Sequence, residues 1–425
     1  MVALVESNPR SLFLIAELRR PDPLNPVITA GAVRCLPVKL SYYLYEGSSS
    51  SVSNLHSTLA YFYSSYEQDI TKSALSLQRV LIVYKFSRFE RERARHPYFT
   101  EKELICNLKA KGSIFTGLKE RYEIHQRHLD ELVCILKRRG SELKAISVVE
   151  YNSSHLDDAD TIISAGGDGT FLEVSSKVKG GSRIPIIGIN TDPERSAGHL
   201  CLRFASCDGK PRGLEEVVQR LLIGQFKWLK RNRIQITVVY SDIDKRILPD
   251  LALNDVLFVE NNPSKTCYYE IEVCGLRDRS GRQIINIKEK QKSSGFLVST
   301  GTGSSAWLFN TKKLWKDDVS ELIKIVERRA NVDLSHLSVG DITDEYNESI
   351  VYPPDDPRMK FGVRELINSG IFRGHVHKGY AHKIIIKSRS EARLVIDGAR
   401  SHQLHPGTSA IFEIVPSQAV HTVSF

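Results

Sequence analysis

The stretch TIISAGGDGTF (residues 161–171) passes from an apolar, β-branched segment through three glycines and one aspartate into FLEVSSKV (171–178). The first segment reads as a buried strand and the last as a helix, which puts the glycines at the carboxyl end of a strand that feeds a helix. In a parallel sheet that is a ligand position. Glycines there let the chain turn at positive φ and approach a ligand closely, while free amides at the helix start attract phosphate. Gly166, Gly167, Gly169 and Thr170 are therefore candidate nucleotide-binding residues. Neither G-x-x-x-x-G-K-[ST] nor G-x-G-x-x-G fits the spacing. Asp168 is left as the loop's single charge. A carboxylate beside phosphates is repelled by them, yet it suits a group that orients an attacking hydroxyl and accepts its proton late. A loose phosphoryl-transfer transition state asks for little base strength. Taken alone, the loop also fits a tight turn with no chemistry.

Outward from this loop the same grammar repeats. RVLIVYK (79–85), ELKAISVV (142–149) and IPIIGIN (184–190) read as further buried strands. After a charged loop, ERYEIHQRHLDELVCILKRRG (120–140) carries Leu129, Leu132, Val133 and Leu136 at helical spacing and ends in basic residues and a glycine. Strands alternating with helices predict a doubly wound parallel α/β domain over 78–227. Beyond Trp228 strand follows strand: RIQITVVY, ALNDVLFVE, CYYEIEV, SGFLVST, KIIIKS, ARLVIDG and SAIFEIV, with one clear helix at DVSELIKIVERRA (318–330). Residues 228–425 are thus expected to form a mostly β, sandwich-like domain, whose last segment packs back on the first. The ligand belongs in the cleft between the two. Residues 1–77 are poor in acids and contain RRPDPLNP and GSSSSVS; a targeting presequence and a disordered extension both fit.

Composition narrows the function classes. The 425 residues include 7 scattered cysteines with no C-x-x-C pair, which argues against a disulfide framework or zinc site and for a reducing compartment. No apolar run approaches the ~18 residues of a membrane span, so no membrane partner is expected. The net charge of +9 comes from clusters such as RFERERARH, KWLKRNR and KEKQK, which lack interleaved aromatics. They read as solvated faces, and nucleic acid is not expected as a partner.

The loop GGDGT (166–170) is shared by NAD kinases, diacylglycerol kinases and phosphofructokinases, and three further stretches make the chain resemble the NAD kinase family. These are GIN with GHL (188–190, 198–200), LNDV (253–256) and SSGFLVSTGTGSSAW (293–307), with weaker similarity through VIDG (395–398). NTDPERSAGHLCL, EKQKSSG and DEYNES look like the mitochondrial branch, the animal NAD kinase 2 type. The resemblance implies transfer of the ATP γ-phosphate to the 2′-hydroxyl of the adenosine ribose of NAD, with Asp168 as the catalytic aspartate. It implies nucleotide contacts at Asn190, at Asn254 and Asp255 (the latter a glutamate in the family), and at Thr302, Gly303, Ser305 and Ala306. Trp307 replaces a family tyrosine and offers an aromatic face; Ser294 replaces an aspartate, so that contact is not carried over. Lys290 and Lys292, beside the second loop, are candidates for ATP phosphates, although solvated lysines fit as well. Magnesium is expected to arrive with ATP, and no protein metal site is expected; His375 and His377 mark an exposed strand or turn. The resemblance also implies a homodimer and the mitochondrial matrix, with the cytosol as the alternative location. A lipid kinase sharing the Gly-Asp loop and a non-catalytic nucleotide binder are the rival readings.

Overall fold

The structure is a computed structural model that describes residues 75–425, apart from 197, 203–212, 263, 278–282, 285 and 373, together with backbone strands at Val2–Ala3, Ala16–Glu17, Ile28–Cys35 and Val38–Tyr45. Residues 1–74 form a unit of their own. The presequence reading, placed on residues 1–77, falls mostly outside the residues described.

Four short strands make a parallel sheet: β1 (Arg79–Tyr84), β2 (Glu142–Ser147), β3 (Thr161–Ala165) and β4 (Ile186–Ile189), in the order β2-β1-β3-β4. From β1 the chain crosses to β2 on one side and returns to β3 on the other. Strand order therefore reverses between β1 and β3, and a crevice opens at their carboxyl ends. The central strands are apolar because both faces are covered. On one face Leu129, Leu132, Ile135 and Leu136 of helix α3 (Phe115–Arg138) pack on Val80, Ile82, Ile163 and Ile187. On the other, Phe171 and Val174 of α4 (Asp168–Lys177) pack on Leu81, Val83, Ile162 and Ile186.

The charged loop expected after β1 is instead two helices, α1 (Arg88–Arg95) and α2 (Glu101–Ala110). Each starts with a capping box, Ser87 with Glu90 and Thr100 with Glu103, so two donors at each N-terminus are satisfied locally. α2 buries Leu104 and Leu108 against Phe115. The inner side of α1 carries a single large apolar residue, Phe89, packed on Phe115 and Tyr122. Glu92, 4% exposed, is paired with Lys111 at 3.1 Å and Arg95 at 3.2 Å, and that is why hydrophobic spacing gave no sign of the helix. A fifth helix, α5 (Leu214–Leu222), closes this part.

From residue 234 the chain builds two six-stranded antiparallel sheets packed face to face. One runs, in spatial order, through Lys245–Ile247, Ile234–Val239, Ser409–Ile414, Lys383–Ser388, Cys267–Cys274 and Ile287–Ser293. The other runs through Lys378–Ala381, Met359–Arg364, Gly295–Ser299, Asp255–Glu260, Ala392–Ile396 and Arg400–Leu404. Alternation supplies the shared core: Ile234, Ile236 and Val238 face Phe258, Phe296 and Phe361 among others. The expected α/β-then-β-sandwich class is the architecture observed. The last strand, Val420–Ser424, pairs with Lys227–Arg231, and Val420 and Val423 enter the two apolar layers around the parallel sheet.

Candidate active site

Asp168 is the first residue of α4, and its carboxylate is held from outside the helix. It accepts the His199 N–H at 3.0 Å and the Leu200 N–H at 2.9 Å, one on each oxygen. Two charge-assisted bonds fix the side chain while leaving lone pairs free. The preceding residue, Gly167, gives no side-chain cap, and the amides of Gly167, Asp168 and Gly169 have no acceptor among the described residues. These are orphan donors at the positive end of a helix.

None of the three loop glycines sits at positive φ, contrary to the expectation from sequence. Gly166 is needed for space: a Cβ there would lie 2.4 Å from Thr170 Oγ1. Gly167 and Gly169 are bare for a different reason, since they line a cavity of about 480 Å³ at the β1/β3 crevice. Its rim carries Lys85, Arg88, Arg91, Arg121 and Arg195 against Glu173 and Asp192, five cations to two anions. Arg121 holds Asp192 at 3.2 Å, and Lys85 lies 4.0 Å from it. Burial pushes the Lys85 ammonium below its ordinary pKa, with Asp192 opposing the shift. Such a cavity favours an anion.

Sequence reasoning missed these cations. It offered Lys290 and Lys292, which occupy the edge strand Ile287–Ser293 and do not line the cavity; Lys292 lies over the Tyr268 ring. The Asn190 side chain is largely committed to its own turn, donating to the Ser196 carbonyl and hydroxyl and accepting from the Asp192 amide. One Oδ1 lone pair remains for a ligand.

The second loop is assembled from chain segments far apart in sequence. Asp397, from VIDG, accepts the N–H groups of Leu253, Asn254 and Asp255 at 2.9, 2.8 and 3.1 Å. Burial pushes the Asp397 carboxyl above its ordinary pKa, and the three amide donors oppose that shift. Asp255, 4% exposed, is itself pushed up to about 7, first by burial and then by the charge on Asp397. Asn254 presents a buried Oδ1 with no partner, while its carbonyl holds the Thr300 amide at 2.9 Å. Gly303 packs so closely that a Cβ would meet the Asn254 carbonyl oxygen at 2.1 Å, which brings Thr302, Gly303 and Asn254 together. Behind them Tyr352 donates its amide to Ser304 Oγ at 3.1 Å and its hydroxyl to the Ser299 carbonyl at 2.6 Å. Tyr352, from the stretch 311–380 to which the sequence gave no role, thus braces this loop. Ser305 and Ala306 are half-buried beside it. Trp307 packs against the cluster of Leu257, Leu297, Leu308 and Ile350, with the Arg364 guanidinium 5.9 Å from its ring centre.

Two arginines tie the loops together. Arg233, 1% exposed, donates to the carbonyls of Ser175, Val178 and Gln418 and so caps the C-terminal end of α4. Arg231, 8% exposed, reaches Thr302 Oγ1 at 3.4 Å and feels the charge of Asp168. The reading of KWLKRNR as a solvated cluster is corrected at both positions: each charge is buried where the Gly-Asp helix meets the β sandwich.

The family model described as the ATP-NAD kinase N-terminal domain matches residues 80–200, the parallel sheet with its glycine loop. The human protein named NAD kinase 2, mitochondrial, is 34% identical over 384 residues, covering 81% of this chain and 84% of its own. This chain belongs to the NAD kinase family. Membership bears out the resemblance carried by GGDGT, LNDV and STGTGSSAW. The Xenopus tropicalis protein of the same name is 35% identical over 384 residues, with 79% of this chain and 88% of its own covered. Among solved NAD kinase structures, one from Archaeoglobus fulgidus in complex with ATP aligns over 81% of this chain and 93% of its own at 18% identity, with a TM-score of 0.47.

Proposed function

We propose that this NAD kinase family member transfers the γ-phosphate of ATP to the 2′-hydroxyl of the adenosine ribose of NAD, with Asp168 as the catalytic group. The observation that carries the reading is the Asp168 carboxylate, pinned by two backbone amides at the start of α4 beside a cavity rich in cations. The triphosphate lies along Gly167, Gly169 and Thr170, its charge met by the free amides and by Lys85, Arg121 and Arg195. NAD lies toward Asn254, Asp255 and the loop from Thr302 to Ala306, with its adenosine ribose near Asp168. The 2′-oxygen attacks phosphorus, the bond to the bridging oxygen of ADP breaks and ADP leaves with the electron pair. Asp168 takes the hydroxyl proton late in the step. Positioning and charge neutralisation supply most of the acceleration.

Magnesium would travel on the triphosphate. Among the described residues no group of three His, Cys, Asp or Glu is placed to hold an ion, so phosphate oxygens and water would be its ligands. The division into an extension (1–77), an α/β domain (78–227) and an NAD-binding β domain (228–425) belongs to the same proposal. So do a mitochondrial matrix location, supported by relatives that carry a mitochondrial name, and a homodimer. The test is purified protein with γ-labelled ATP and magnesium, offered NAD or diacylglycerol. Label in NADP supports the reading, and label only in the lipid refutes it.

A further inference from the structure

We infer, resting on the phosphotransfer reading above, that the purine base of the phosphate donor stacks in the apolar end of the strand-end cavity, against Phe86, Phe89 and Tyr122. That reading places only the phosphates, along the glycine loop. The base has a separate place.

The cavity is polarised along the parallel sheet. It spans the carboxyl ends of all four strands, which lie in the order β2-β1-β3-β4. Past β3 and β4 its wall is Gly167, Gly169, Thr170, Asp192 and Arg195. Past β2, at the opposite edge, the wall is Val148 and Val149, the latter 64% exposed, and Phe86 lies just past the neighbouring β1. The helical side divides in the same way. Arg121 of α3 turns to Asp192 and the β4 end, whereas Tyr122 meets Phe89 of α1. Three strand spacings separate β2 from β4, about 14 Å, which gives room for a base and sugar at one end and a phosphate chain at the other.

The rings at the apolar end are set before a ligand arrives. Phe89 and Tyr122 have centroids 5.2 Å apart with 31° between their planes, and buried Phe115 backs Phe89 at 5.8 Å and 66°. Phe86, Phe89 and Tyr122 are all only half-buried, so a flat heterocycle laid against them takes apolar surface out of water and gains stacking. Nearby polar side chains have partners of their own. Ser87 Oγ accepts the Glu90 amide at 3.2 Å, Arg88 donates to Ser113 Oγ at 2.7 Å, and Arg91 donates to the Phe86 carbonyl at 3.4 Å. What this end offers a base is ring faces and valine methyls. Asn254, Asp255 and the loop from Thr302 to Ala306, assigned above to NAD, do not line the cavity, so the two adenines have separate sites.

The experiment compares a donor with a base to its phosphates alone. Tyr122→Ala and Phe89→Leu are made singly in the full chain, and the readouts are KM for ATP, Ki for magnesium tripolyphosphate competing with ATP, and Tm. Each substitution is expected to raise KM for ATP about 10-fold, toward the lower end of what losing a base–aromatic stack costs. Ki for tripolyphosphate is expected to stay within about 2-fold, because the phosphate end is untouched. An unchanged KM for ATP in both variants overturns the inference, as does an equal weakening of ATP and tripolyphosphate, which marks a distorted cavity. Photolabelling of the wild type with 2-azido-ATP decides without any variant: label on peptides carrying Phe86 to Phe89 or Tyr122 supports the base site, and label elsewhere overturns it. Failure of the wild type to phosphorylate NAD would sink the phosphotransfer reading instead, and since the photolabel is read without turnover the two failures are distinct.

Discussion

Replacing Asp255 with asparagine should make the protein more stable at neutral and alkaline pH, although Asp255 sits in the site. Its carboxyl is pushed from 3.8 up to about 7, first by burial and then by Asp397. When the folded pKa lies above the unfolded one, the unfolded chain releases its proton first. Stability is therefore lost as pH climbs from the unfolded value to the folded value, and the loss is complete above the latter. A shift of about 3 units corresponds to about 4 kcal/mol at most, shared with the coupled Asp397. Between about pH 5.5 and about pH 8 the wild type should lose about 2 kcal/mol that Asp255→Asn does not. Urea unfolding at the two pH values measures this as a difference in midpoints at constant slope. A parallel pH dependence in the two proteins would refute the argument, because it would mean that Asp255 is ionised in the fold. The same substitution should raise KM for NAD, which separates its proposed binding role from its effect on stability.

Further outcomes follow from the site. Gly166→Val should lower stability by about 1–3 kcal/mol and depress turnover, because its Cβ would already stand 2.4 Å from Thr170 Oγ1; thermal melts and kcat read both effects. Arg121→Glu reverses a charge on the cavity rim and frees Asp192 from its 3.2 Å partner. It should raise KM for ATP at least ~10-fold, most strongly at low ionic strength, with KM for NAD little changed.

Which parts were legible in the sequence follows from how each is stabilised. β1, β3 and β4 are buried on both faces, so RVLIVY, TIISA and IIGI had to be apolar and were readable as such. α1 is held by a capping box and by the Glu92 ion pairs; hydrophobic spacing is silent there, although S-x-x-E at Ser87 and T-x-x-E at Thr100 were available signals. The edge strand Ile287–Ser293 escaped because its outward residues are lysines and its inward ones include Gln291 and Ser293, which hydrogen-bond to Tyr269. At the site, Asp168 was legible because a lone acid among glycines demands an explanation. Arg231 and Arg233 were not, since a run of basic residues looks the same whether its charges meet water or buried carbonyls. The cavity cations come from the residue just past β1, from α1, from α3 and from the turn after β4, and only the folded chain brings them to one rim.

The central claim concerns one carboxylate, and Asp168→Asn tests it most directly. The amide keeps the shape and one acceptor oxygen but removes the charge and the proton acceptor. NADP formation should fall about 10²- to 10⁴-fold, the usual worth of a general base, while NAD affinity measured by calorimetry stays within a few-fold. Turnover equal to the wild type, with NAD still bound, would contradict the account.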